Sequence, residues 1–98
     1  MRFEWDSSKN RINQAKHNGL DFATAARVFD DPNVLLMHDR LIEGEQRWHA
    51  IGSVSEALML VVHIYREDDD NGEEIIRIIS AREASQRERR IYFQEPAQ

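Results

Sequence analysis

The spacing of apolar positions changes period along the chain. Phe3 and Trp5 alternate with Arg2 and Glu4, the period-two signature of a short strand with one apolar face. From Asp6 onward the pattern is helical. Asp6 is placed to N-cap a helix from Ser7 to about His17, with Ile12 and Ala15 expected to face inward. Asn18-Gly19 reads as its stop, because these residues tolerate the left-handed backbone that closes helices. Asp21 caps a second helix, on which Phe22, Ala25, Ala26 and Phe29 share a face, and Asp31-Pro32 ends it.

Period two then returns. Val34 to Met37 is a short apolar run, and Arg40 to Glu45 reads as a turn around Gly44. From Gln46 to Gly52, Trp48 and Ala50 fall on one side, and Arg47, His49 and Ile51 on the other. Ser53 to Glu56 is a hairpin connection. The next strand places Leu58, Leu60, Val62 and Ile64 opposite Met59, Val61, His63 and Tyr65. It is apolar on nearly both faces, which predicts a central position in the sheet. An acidic loop over 67–74 leads into a strand from Glu74 to Ile79. Ser80 and Glu83 have the spacing of a capping box, which predicts a last helix from Ser80 to about Tyr92. The predicted order is β-α-α-β-β-β-β-α over a single domain, 1–98. The class is α+β with a mostly antiparallel sheet, since connections after residue 40 are too short for helical crossovers.

Composition narrows the setting. A chain of 98 residues holds one modest core. No apolar run approaches a membrane span, and the start lacks a signal-peptide layout. There are no cysteines, so neither disulfides nor a thiolate zinc site. The expectation is a cytoplasmic protein without membrane contact. Net charge is −5, which argues against direct DNA contact, yet the charge is segregated. Residues 1–27 carry +2, 28–76 carry −9 and 77–98 carry +2. Such segregation predicts an acidic face and a basic face if the two ends meet in the fold.

The arginines of the last third are the leading chemical candidates. Guanidinium groups grip phosphate through two parallel hydrogen bonds and stabilise charge that develops on it. Arg82, Arg89 and Arg90 are expected on one helix face, and Glu83–Arg87 as a surface pair on that helix. Arg77 lies within an apolar strand, where an arginine is costly unless paired, so it either meets a carboxylate such as Glu88 or lines a site. Lys16-His17 ends the first helix, where cations satisfy the last carbonyls, and it is also a candidate proton carrier. His49 and Arg47 share a strand face. His17, His38, His49 and His63 show no metal-ligand spacing, the acidic loop lacks that of a calcium site, and no phosphate-cradling glycine loop is present. No metal or cofactor is expected.

Several runs together resemble a known family. Phe3-Glu4-Trp5-Asp6, Lys9, Asn13, Lys16-His17, Phe22 and Val28-Phe29-Asp30-Asp31-Pro32 are similar to the N-terminal half of the BrnT toxins. Gly44-Glu45-x-Arg47 with Ile51-Gly52 resembles the middle of that family. Arg77-Ile78-Ile79-Ser80-Ala81-Arg82-x-Ala84, followed by Glu88-Arg89-Arg90 and Tyr92, resembles its C-terminal signature. The chain departs from the pattern at Asn18, which separates Lys16-His17 from Gly19, and in its longer acidic loop. The resemblance implies a RelE-like ribonuclease fold and the toxin role in a type II toxin–antitoxin pair. It further implies a partner antitoxin with a ribbon-helix-helix DNA-binding domain, in a heterotetramer or larger assembly that represses its own operon. DNA is then reached only through the antitoxin.

A ribonuclease without metal uses the RNA's own 2′-hydroxyl as nucleophile. It needs a base, a cation beside the phosphorane and an acid for the leaving oxygen. The candidates are His17, His49 and Lys16 for proton transfer, Arg77 and Arg82 for charge, and Tyr92 for stacking or proton donation. Arg47, Arg89 and Arg90 are candidate RNA-binding residues. The alternative is a non-catalytic binding module, or a degenerate toxin that acts only as a repressor cofactor.

Overall fold

The computed structural model describes residues 1–94. Its order is β1 (Arg2–Glu4), α1 (Ser7–Lys16), α2 (Phe22–Ala26), a 3-10 turn (Arg27–Asp30), β2 (Leu35–Ile42), β3 (Glu45–Val54), β4 (Ala57–Glu67), β5 (Glu74–Glu83) and α3 (Gln86–Phe93). The strands form one five-stranded sheet, β1-β5-β4-β3-β2. β1 runs parallel to β5 and the other pairings are antiparallel. β4, apolar on both sides, occupies the centre as its pattern predicts.

The caps of the first two helices are where the sequence puts them. The Asp6 carboxylate accepts the N–H of Lys9, and that of Asp21 accepts the N–H of Thr24. The inward face of α1 is not the expected one. Ile12 and Ala15 are exposed and Asn13 is buried. α1 is fastened through asparagines rather than apolar packing. Asn13 accepts the N–H of Ala81 on β5 and donates to the carbonyl of Leu20, and Asn10 accepts the N–H of Phe22. The second helix is shorter than its apolar pattern, and tightens into the 3-10 turn after Ala26.

The largest correction concerns the last helix. Residues Ser80 to Glu83 continue β5, paired with Val62 to Met59, so the Ser80–Glu83 capping box does not form. The box falls five residues later. The Ser85 hydroxyl accepts the N–H of Glu88, and the Glu88 carboxylate accepts the N–H of Ser85. Both Ser-x-x-Glu spacings are present, and pairing with β4 claims the first. Arg82 therefore stands on a strand, not on a helix with Arg89 and Arg90.

One sheet face is covered by α2 and the 3-10 turn. Phe22, Ala25 and Val28 pack there on Ala50, Val61, Ile78 and Ala81, with Phe3, Trp5 and Phe29 beside them. Phe29, His63, Tyr65, Trp48 and His38 follow as an edge-to-face aromatic series. Gly52 is needed where the turn crosses β3. A Cβ there would stand 2.7 Å from Val28 Cγ1 and 3.0 Å from the Val28 carbonyl oxygen. Gly52→Ala is expected to destabilise the fold by about 1–3 kcal/mol through overpacking, read as a lower denaturant midpoint. An unchanged midpoint would show that the 3-10 turn yields.

Candidate functional site: an arginine-lined sheet face

Among the described residues the second sheet face is covered only at one end. Leu58 and Leu60 of β4 and Ile51 of β3 pack there with Ala84 and with Tyr92 of α3. The Tyr92 hydroxyl lies 2.5 Å from Asp31 Oδ2, which also accepts the N–H of Ser53, while Oδ1 accepts that of Asn33. Burial alone would raise the Asp31 carboxyl. The Tyr92 hydroxyl and the two backbone N–H groups outweigh it and hold the group below its ordinary range. Tyr92 thus ties α3 to the loop after the 3-10 turn, around the end of the sheet.

Beyond α3 the same face carries the charged residues. Register places His49 opposite Val62, and Val62 opposite Ser80. One step further along, Ile64 is opposite Arg77, and Arg77 opposite Glu4. Arg47 is two residues before His49 on β3 and so shares its face. Arg82, opposite Leu60, borders α3. With strands about 4.8 Å apart, the backbones of His49 and Ser80 are about 10 Å apart, and Val62 lies between them.

Arg77 and Arg82 are five residues apart, and an uninterrupted strand would send them to opposite faces. They share a face because the β4–β5 register shifts. His63 pairs with Ile78, but the neighbouring Val62 pairs with Ser80, so Ile79 is the extra residue of a β-bulge.

Arg77, Arg82 and His49 each stand against a carboxylate. Nη1 of Arg77 donates to Glu4 Oε2 at 2.7 Å, and Nε of Arg66 donates to Glu4 Oε1 at 2.6 Å. Burial pushes the Glu4 carboxyl upward, and the two guanidinium groups outweigh it and lower it. Arg82 grips Glu88 through two hydrogen bonds of 2.7 and 2.8 Å. Those bonds, with the Ser85 N–H, bring Glu88 down to about 2. The expected pairing of Arg77 with Glu88 is therefore replaced. Position 77 faces Glu4 across the parallel β1–β5 ladder, and Glu88, one turn into α3, reaches Arg82. Nε2 of His49 lies 3.1 Å from Asp39 Oδ2 on β2. Nε of Arg47 is buried without a hydrogen-bond partner among the described residues.

The remaining candidates lie elsewhere. Lys16 and His17 close α1 beside the outer edge of β5, in a cleft they share with Arg82 but not with Arg77 or His49. Arg89 and Arg90 are exposed on α3, with Arg89 over the Phe93 ring at 5.7 Å. Glu83 and Arg87 form no ion pair among the described residues, because Glu83 is on the strand. Asp39 lies beyond the apolar run that ends at Met37 and outside the turn expected from Arg40, yet β2 runs on through it to Ile42, and Glu4 is the unexpected partner of Arg77. Among the described residues no three His, Cys, Asp or Glu side chains gather to hold a metal, and no helix is long and apolar enough to cross a membrane.

The architecture is thus a small α+β domain with Arg47, Arg77 and Arg82 on one sheet face. Residues 5–88 match the family described as the ribonuclease toxin, BrnT, of type II toxin-antitoxin systems, and the chain belongs to that family. Membership makes it a toxin of the ribonuclease class whose partner is a protein antitoxin. A search of curated proteins finds no match.

Proposed function

We propose that this chain is an endoribonuclease of RelE-like fold that cleaves RNA without metal, inhibits translation and arrests growth. The observation that carries the reading is the β5 bulge, which brings Arg77 and Arg82 to one face with Arg47 and His49. Imidazole is the commonest proton carrier in catalysis. Nε2 of His49 stands beside the Asp39 carboxylate, and we assign Nδ1 to take the proton of the RNA 2′-hydroxyl. The 2′-oxygen then bonds to phosphorus, and the bond from phosphorus to the 5′-oxygen breaks. That oxygen takes a proton from solvent water while His49 returns its own to solvent, which yields a 2′,3′-cyclic phosphate and a 5′-hydroxyl. Arg77 and Arg82 stabilise the negative charge on the phosphorane, and Arg47 holds a non-bridging oxygen or the next phosphate. Tyr92 stays with Asp31 and serves the fold, and Lys16 and His17 stand outside the reacting group. The antitoxin we infer is a ribbon-helix-helix protein that covers this face, so that DNA is contacted only through it.

The test is purified, partner-free protein on single-stranded RNA with chelator present. Cleavage that survives the chelator and leaves cyclic-phosphate ends is expected. Folded protein that cleaves nothing, with or without ribosomes, would overturn the reading in favour of a non-catalytic repressor cofactor.

A further inference from the structure

β1 ends at Glu4, so among the described residues no strand lies beside the outer edge of β5 beyond Ile78. α1 lies there instead, and Asn13 welds it to the edge through the Ala81 N–H. Between them is a cleft of about 360 Å³ lined by Lys9, Ile12, Lys16, His17, Ile79 and Arg82, among others. Three properties set it apart. Lys9 and Lys16 are two helical turns apart, about 10 Å along the axis, and line the cleft together with Arg82. Ile12 is 64% exposed between them. Ile79, across the cleft, is the bulge residue of β5.

Cations in a row attract anionic ligands, and the exposed isoleucine between them offers an apolar contact. A ligand charged at intervals and apolar in between satisfies both. Single-stranded nucleic acid has that chemistry, with phosphates for the cations and base or sugar faces for the isoleucines. Arg82 joins the two regions, since it lines this cleft and also borders the open face. We propose that the α1–β5 cleft is a second RNA subsite. Lys9 and Lys16 bind the backbone of nucleotides flanking the scissile bond, and the strand crosses the β5 edge at Arg82 to reach the open face. This inference rests on the proposed ribonuclease reading. It adds Lys9 to the RNA-binding residues and assigns Lys16 to phosphate binding rather than proton transfer.

The probe is a fluorescent single-stranded 2′-O-methyl oligoribonucleotide, which lacks the nucleophile and cannot be cut. Its binding to the full-length, partner-free chain is measured against salt concentration. Each phosphate contact on a single strand contributes a slope of about −0.7 in log K against log salt. The Lys9→Gln/Lys16→Gln variant is therefore expected to show a slope shallower by about 1.4. In cleavage assays its loss should be carried by KM. The control Arg11→Gln/Arg40→Gln removes two exposed charges away from the cleft and should leave the slope as it is. If the wild type binds and cleaves RNA but the lysine variant keeps the full slope, this inference falls and the ribonuclease reading stands. Loss of antitoxin binding with an unchanged slope would make the cleft a protein-docking site and equally overturn it. A wild type that neither binds nor cleaves overturns both.

Discussion

Arg77→Ala is expected to lower kcat/KM for RNA cleavage by about 10²- to 10³-fold, the loss typical when one donor to a developing oxyanion is removed. The fold should survive. Glu4 retains the Nε bond from Arg66, so no carboxylate is stranded. The Arg77 side chain is itself 36% exposed, so its removal opens no cavity in the core. Arg77→Lys keeps the charge but loses the planar fork, and should recover only part of the rate. Initial rates on a defined RNA, beside thermal unfolding of each variant, measure this. A folded Arg77→Ala protein with wild-type rates would remove Arg77 from the chemistry. Arg82→Ala offers a parallel case, since Glu88 keeps its capping bond from the Ser85 N–H.

The second large effect is on stability and comes from His63. Its ring is fully buried against Phe29 and Tyr65, with Nε2 unpartnered and Nδ1 3.4 Å from the Val61 carbonyl. Burial lowers its pKa from 6.5 to about 4; the Val61 carbonyl opposes this, and His49 adds to it. Above 6.5 the ring is neutral in both folded and unfolded chains and makes no pH-dependent contribution. Between 6.5 and 4 the unfolded chain takes up a proton that the folded one refuses, so stability falls as pH falls. By about pH 5 the loss is about 2 kcal/mol, on the scale of 1.36 kcal/mol per pKa unit. The lowered carboxyl groups of Glu4, Asp31 and Glu88 act in the other window, below their unfolded values. Denaturant unfolding near neutral pH and near pH 5 therefore isolates the histidine. His63→Phe should unfold with nearly equal midpoints at the two pH values. A variant that keeps the wild-type drop would assign the loss to other groups.

Much of the fold was legible because its signals are local. Asp6 and Asp21 cap helices through N–H groups three residues away. Alternation sorted β3 and β4 into their two faces, and put Arg47 with His49. β4 declared its central position by being apolar on both sides. The misreadings share one cause. Ile12 and Ala15 were expected inside because apolar residues usually are, but α1 meets a strand edge, where asparagine hydrogen bonds hold better than methyl groups. Asp39 was not expected on a strand because the partner that extends β2 past Met37 is set by the far side of the hairpin.

The arginines of the last third mark the limit most clearly. The sequence by itself determined that Arg77 and Arg82 would flank Ser80, that a Ser-x-x-Glu box would start the last helix, and that the basic charge lay at the two ends of the chain. It could not determine on which side each arginine would stand. Helix, regular strand and bulged strand distribute residues 77 and 82 differently, and all three suit this local pattern. The choice belonged to β4, more than a dozen residues upstream. By pairing with β5 as far as Glu83, β4 displaced the first capping box. By slipping one residue at Ile79, it turned both arginines to a single face, within reach of Glu4 and Glu88, which come from opposite ends of the chain. Such pairings depend on contacts between distant segments, and their energy is realised only once the sheet has formed.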